Sequence, residues 1–192
     1  LASQNGHLVV LRYLKEDGDC DLNARRHDGG TAAMLASQNG HLEVLRYLKE
    51  DGGCDLNARM DDGWTAAMAA SQNGHLEVLR YLNEQGIDLQ TKCVDGRTTF
   101  MAACVSGNLA CVEFLHKQGA SIDATAMLGE LRGVTALMLA SSRGPFSIVE
   151  FLVKNGANVK SVTNTGATAL SFAEENELAD IVSYLKLHVD KG

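Results

Sequence analysis

Three histidines are the first residues whose type and spacing suggest chemistry. His7, His41 and His75 recur at intervals of 34 residues, each within the run Ser-Gln-Asn-Gly-His-Leu. A period of this length is typical of a protein built from stacked repeats. Neighbouring stacked helices lie about 8 to 10 Å apart, whereas zinc needs its ligands within about 2 Å of one centre. The column therefore does not predict a metal site, and each histidine is expected to hydrogen-bond to neighbouring backbone.

The cysteines do not form a recognisable framework either. There are five, an odd number, with no C-x-x-C motif, which argues against disulfides and a zinc ribbon. Cys20 and Cys54 share one repeat position, expected to be a small buried slot, with Cα atoms beyond the disulfide limit of about 7 Å. Cys104 and Cys111 are predicted core residues, and Cys93 is expected at an exposed loop position. Reduced thiols favour a cytoplasmic protein.

No arrangement of residues predicts catalysis. The sequence lacks a nucleophile paired with a base, a glycine-rich phosphate loop after a strand, and a paired-carboxylate motif. Asp61 and Asp62 are adjacent carboxylates, but they precede Gly63, and aspartate and glycine are ordinary turn residues. We therefore expect no enzyme activity and no cofactor.

Composition excludes other functions. The chain has 192 residues, a net charge of −7 and a pI near 5.3, without a basic cluster for nucleic acid. No apolar run reaches the roughly 18 residues of a membrane span, and no signal or transit peptide is visible. Residues 1–8 match residues 35–42, so the first repeat enters halfway through a helix. We expect either that the array is a fragment whose true N-terminus lies upstream or that its first repeat is degenerate.

A threonine marks the same register position in five repeats. Within the repeat that starts at Thr65, small residues predict a short helix to Asn73, and Gly74 ends it in a left-handed conformation. A second helix with an apolar stripe follows from His75. One such helix pair buries too little surface to stand alone, so the pairs must stack. The register threonines are Thr31, Thr65, Thr98, Thr135 and Thr168.

These units resemble ankyrin repeats in their Gly-x-Thr start, their Gly-His-Leu junction and endings such as Gly119–Ala124. The resemblance covers the whole chain and implies an all-α solenoid of stacked helix-turn-helix units, joined by β-hairpin-like finger loops. Where the family has Thr-Pro-Leu-His, this chain mostly has methionine at the fourth position, which predicts apolar packing in place of a polar ladder. The predicted units are a partial repeat at 1–27, repeats at 28–61, 62–94, 95–131 and 132–164, and a C-terminal cap at 165–192.

Two units depart from the pattern. The finger at 124–134 is four residues longer than its counterpart after Asn23 and carries Met127, Leu128 and Leu131 where polar residues are usual. The last unit has Glu174–Glu177 where others have Gly-His, which suits a terminal unit that faces solvent.

The resemblance implies a non-catalytic module that binds another protein on its concave surface of finger tips and first helices. Trp64 is the strongest candidate, because its slot holds glycine, arginine, valine or alanine in other repeats and the family places that slot on the concave face. Acidic fingers around it suggest a partner segment with basic and apolar residues, and the chain itself is expected to be a monomer that binds neither nucleic acid nor membrane. The candidate partner-binding residues are His27, Asp28, Asp61, Asp62, Trp64, Gln72, Asn73, Val94, Asp95, Arg97, Met127, Leu128 and Arg143.

Other functions remain open from sequence. The array is alternatively a regulatory or substrate-docking segment of a larger enzyme or channel, or a dedicated inhibitor or effector. The near-identical early repeats also fit a spacer.

Overall fold

A computed structural model describes residues 1–16, 18 and 20–189. Asp17 and Asp19 of the predicted partial repeat, and residues 190–192 of the predicted cap, lie outside the described residues. None of the described helices is both long and apolar enough to cross a membrane. The helices are α1 (Leu8–Glu16), α2 (Ala32–Gln38), α3 (Leu42–Glu50), α4 (Ala66–Gln72), α5 (Leu76–Glu84), α6 (Thr99–Ser106), α7 (Leu109–Lys117), α8 (Ala136–Arg143), α9 (Phe146–Lys154), α10 (Ala169–Glu175) and α11 (Ala179–Val189).

Each first helix begins at the register threonine. The Thr65 hydroxyl oxygen accepts a hydrogen bond from the Met68 backbone N–H at 3.3 Å, which satisfies an otherwise unpaired donor of the first turn of α4. The same bond starts the other four first helices. The predicted first helix from Thr65 to Asn73 is therefore confirmed, with those two residues as its caps.

The first helices form the inner layer of the stack, and their small residues let them approach closely. Ala67 and Ala70 of α4 are completely buried. The methionines that replace the family's histidine are buried as well, with Met68 and Met138 at 0% exposure. The predicted apolar packing at this position is confirmed.

The histidine column links one unit to the next. The Nε2–H of His75 donates to the Gln38 carbonyl at 3.0 Å, and that of His41 donates to the Gln4 carbonyl at 2.9 Å. A Cβ atom on Gly40 would lie 2.6 Å from Nδ1 of His75, so only glycine leaves room for the ring. The predicted bond from histidine to neighbouring backbone is confirmed for these two units.

The second helices carry a parallel ladder on the outer layer. The Arg12 guanidinium lies 5.4 Å from the centre of the Tyr47 ring, and Arg46 lies 4.5 Å from that of Tyr81. Cation–π contacts of this kind contribute about 0.5 to 1 kcal/mol each at exposed sites. Inner and outer layers are thus both tied from unit to unit.

The finger loops are joined by backbone hydrogen bonds. The Asp61 N–H donates to the Asp28 carbonyl at 3.1 Å, and the Val94 N–H donates to the Asp62 carbonyl at 2.8 Å. Gly63 turns the finger at a φ of +86°, a conformation that favours glycine. This ladder fixes the spacing of the finger tips.

The long finger is the only described part of the chain that forms a named sheet. Its strands β1 (Thr125–Leu128) and β2 (Leu131–Thr135) pair antiparallel, with Leu128 opposite Leu131. Gly129 opens the two-residue loop at a φ of +61°, as a type II′ turn requires. The sequence predicted the extra length and a hairpin-like finger, and the structure extends it into a regular hairpin.

The last unit contains a backbone conformation that its side chain does not favour. Glu177 has a φ of +57°, the one positive value found for a non-glycine among the described residues. Glu177 is the counterpart of Gly74, the residue that follows α4. The N–H of the next residue, Leu178, donates to the preceding helix, as the N–H of His75 does after Gly74. A side chain in this region costs about 1 to 2 kcal/mol.

We expect Glu177→Gly to raise the free energy of unfolding by about 0.5 to 1 kcal/mol, because relief of strain exceeds the added entropy of the unfolded chain. The measurement is the urea midpoint. Glu177→Ala is the matched control, since it removes the same charge without relieving the strain. Equal midpoints for the two variants would contradict the prediction.

Candidate functional site

A groove of about 470 Å³ runs along the concave face between finger tips and inner helices. We call it the large groove. Its floor comes from α6, α8 and α10, and one wall comes from the long finger. Most of these side chains are apolar. The lining residues are Trp64, Gln72, Arg97, Met101, Ala102, Val105, Leu128, Leu139, Ser142, Arg143, Phe172, Glu175 and Asn176.

A second concavity of about 260 Å³, the small groove, adjoins the first on the side of the earlier units. Trp64, Gln72 and Arg97 line both grooves. The two concavities therefore meet at these three side chains. The remaining lining residues of the small groove are Arg26, Gly30, Thr31, Met34, Leu35, Gln38, Met60, Asp62 and Ala69.

The junction is held by a stacked pair from neighbouring units. The Arg97 guanidinium lies 5.1 Å from the centre of the Trp64 ring. Nε of Arg97 also donates to Oδ2 of Asp95 at 2.6 Å, with both side chains about one-third exposed. The cation is thus neutralised by its own finger, and the indole that it covers lines both grooves.

The Trp64 slot is less open than the sequence suggested. Trp64, Arg97 and Ala167 are half-buried, whereas Gly30 and Val134 are buried. Val134 is completely enclosed because it lies in β2, opposite Ala126. The slot is therefore not exposed in these two units, although its residue type varies between units, and the Trp64 ring forms a wall of the groove.

The structure brings part of the predicted surface together. Trp64, Gln72, Arg97, Leu128 and Arg143 line the large groove, and Asp62 lines the small one. The other candidates line neither groove and lie at finger tips or helix ends. They are His27, Asp28, Asp61, Asn73, Val94, Asp95 and Met127.

Some of these candidates are already engaged in local structure. The Asn73 side chain donates to the Ala69 carbonyl at 2.9 Å and so caps α4. Oδ1 of Asp62 accepts from the Trp64 N–H at 2.9 Å, and Oδ1 of Asp28 accepts from the Gly30 N–H at 3.0 Å. The turn role predicted for the adjacent carboxylates is confirmed for Asp62.

Sequence reasoning missed most of the groove floor. Val105, Leu139 and Phe172 lie at helix positions that resemble core positions, but each side chain remains partly exposed. Their apolar character gave no signal, because the sequence alone does not show which inner-helix positions the next finger leaves open. Arg143 and Glu175 are the last residues of α8 and α10, and both are exposed charges that line the same groove.

A family model described as "Ankyrin repeats (3 copies)" matches residues 1–60, 52–126 and 124–192. The chain belongs to the ankyrin repeat family. A comparison with curated proteins gives no match. Ankyrin repeats are generally protein–protein interaction modules and are typically non-catalytic.

No group of three or more metal-ligating side chains occurs within residues 1–16, 18 and 20–189 of this ankyrin array. The large groove offers more apolar than polar surface, whereas the small groove is lined by apolar and polar groups in similar measure, and a mixed surface of this kind suits recognition of another chain.

The cysteines of the array differ from prediction at two positions. Cys93 is only 6% exposed, with Sγ 3.4 Å from Sδ of Met68, so its expected exposure is wrong. Side chains alternate in direction along the finger, and Cys93 points inward while Val94 points outward. Cys20 is half-buried, whereas Cys54 is buried under the Leu22 carbonyl of the preceding unit. The shared slot is thus buried only where a preceding unit covers it.

The two remaining thiols, Cys104 and Cys111, are completely buried as predicted. Burial raises the pKa of the Cys111 thiol to about 11 and raises that of Cys104 further. Burial likewise raises the pKa of Cys93 to about 11, although nearby Arg97 opposes the shift. A thiol in such an environment reacts slowly, because the thiolate is the nucleophile.

We expect one thiol, that of Cys20, to react rapidly with a thiol-specific disulfide reagent at neutral pH in the native protein. The reaction is measured by the change in absorbance of the reagent. Cys20→Ser should abolish the fast phase, whereas Cys93→Ser should leave it unchanged. Loss of the fast phase in Cys93→Ser would show that Cys93 is accessible.

Proposed function

We propose that the array binds a segment of a partner protein along its concave face, with an apolar side chain of the partner in the large groove. The observation that carries this proposal is the apolar concavity of about 470 Å³ that the finger tips and inner helices enclose. Its volume lies within the range of pockets that bind small ligands, about 300 to 1,000 Å³, so it has room for a side chain of a partner. Family membership supports the same class of function.

Trp64 is the proposed anchor point of the interface. It lies where the two grooves meet, and Arg97 holds its ring in place. A fixed ring loses little conformational entropy on binding, and tryptophan and arginine are enriched among interface hot spots. A bound segment that crosses from the small groove to the large one must pass this pair.

The acidic finger tips give the proposed partner a second feature. Asp61 is exposed, and its carboxylate accepts no hydrogen bond from a described residue. Asp62 lines the small groove beside it. A basic residue in the partner, placed toward the earlier fingers, complements these charges.

The groove assignment is tested with short random peptides selected on the immobilised intact chain. Trp64→Ala should weaken the selected peptides by about tenfold or more, because truncation of a central aromatic costs about 2 kcal/mol. Binding is measured by fluorescence polarisation of labelled peptides. Tyr13→Ala is the matched control, since Tyr13 is an exposed aromatic on α1 outside both grooves. An affinity within twofold of the intact chain for Trp64→Ala would refute the assignment.

The charge assignment is tested separately. Asp61→Asn should weaken the same peptides by about two- to fivefold at low salt, and the difference should vanish at high salt because the exposed carboxylate is then screened. Glu43→Gln, a change of an exposed carboxylate on the outer helix α3, should have no effect. A salt-independent loss in Asp61→Asn would point to a structural defect and would contradict a basic partner.

A further inference from the structure

Backbone hydrogen bonds to the preceding unit show where the four extra residues of the long finger begin. The Met127 N–H donates to the Asp95 carbonyl at 2.7 Å. The Asp61 N–H makes the equivalent bond to the Asp28 carbonyl two finger pairs earlier. Met127 therefore occupies an ordinary finger position, and the extra residues begin after it.

The ladder on the following side gives the other boundary. The Arg132 carbonyl accepts from the Asn164 N–H at 3.0 Å, as the Asp62 carbonyl accepts from the Val94 N–H. Arg132 thus takes the position of Asp62. The insertion is Leu128–Leu131, and its removal would join Met127 to Arg132 as Asp61 is joined to Asp62.

The side chain of Asn164 locks the inserted hairpin in place. Its Oδ1 accepts from the Arg132 N–H at 2.8 Å, and its Nδ2 donates to the Glu130 carbonyl at 3.1 Å. With the backbone bond from Asn164 to Arg132, one residue makes three hydrogen bonds to the hairpin, two to Arg132 on the outer edge of β2 and one to Glu130 in the adjoining loop. This edge is therefore closed to an added strand, which would need the same groups.

The locked hairpin places one insertion side chain at the groove. Leu128 lines the large groove together with Trp64 and Phe172, and it remains 39% exposed. Leu131, its partner on β2, is half-buried. A finger of ordinary length has no residue at this point.

We propose that the insertion Leu128–Leu131 is the specificity element of the large groove and that Asn164 is its positioning residue. This inference rests on the proposed function. The partner it selects presents a bulky aliphatic or aromatic side chain that packs between Leu128 and Trp64, and it binds through side chains rather than by adding a strand to the hairpin. Because the hairpin is already held in place, it loses little conformational entropy when such a partner binds.

The test uses the peptides already selected on the intact chain, measured against a variant that lacks residues 128–131. The deletion should weaken these peptides by about tenfold or more, because the partner side chain loses the apolar surface of Leu128 against which it packs. A new selection on the deletion variant should no longer enrich a bulky apolar residue at a fixed position. Circular dichroism verifies that the helices persist.

Asn164→Ala tests the positioning role without shortening the finger. It should weaken the peptides severalfold and speed amide hydrogen exchange at Arg132, whose N–H loses its acceptor. Asn164→Asp, which keeps that acceptor, should restore slow exchange at Arg132 and part of the affinity. Asn155→Ala is the matched control, since Asn155 donates to the Phe151 carbonyl at 2.8 Å in the same manner as other helix ends and lines neither groove.

The outcomes separate the two proposals. If the intact chain and both variants bind the peptides equally while Trp64→Ala binds weakly, the insertion is not a specificity element, although the groove function stands. If no peptides are enriched on the intact chain, both the proposed groove function and this inference are wrong. If the deletion variant does not fold, Asn164→Ala alone tests the inference. Faster amide exchange at Arg132 together with weaker peptide binding would support it, and faster exchange with unchanged binding would contradict it.

Discussion

Burial of each helix pair against its neighbours is the constraint on which the structure depends. A pair such as α4 and α5 has two apolar faces, and Ala67, Leu79 and Leu82 are fully buried only because units lie on both sides. Side-chain contacts between neighbouring units then fix how the units are oriented. Histidine hydrogen bonds do so on the inner side, and arginine–aromatic contacts do so on the outer side. The finger ladder follows from the same spacing, since its backbone bonds form only when successive units lie in register.

This constraint divides the surface into fixed and free positions. Residues that touch the next unit are determined by stacking, whereas finger tips and the exposed parts of inner helices are free to differ. The grooves form from the free positions of several units, so no single unit contains a site. The long finger departs from this common plan through an insertion that the next finger holds by the hydrogen bonds of Asn164.

Most of the fold could be predicted because its signals are local. The threonine cap at Thr65, the turn at Gly74 and the apolar slot at Met68 each depend on residues within one unit. The site was harder to predict, since exposure at Val105 or Phe172 depends on how far the next finger reaches over the inner helix. Cys93 and Val134 were misjudged for a related reason, because the direction of a side chain in a finger depends on strand alternation and on pairing with β1.

Trp64 has one further consequence, which is optical. It is the single tryptophan of the chain, and it lies at the point where both grooves meet, under a charged guanidinium. Its indole emission therefore reports on this place alone, without a background from other tryptophans. The molecule carries an intrinsic fluorophore at the centre of its concave face, so occupancy there is readable in the unlabelled protein.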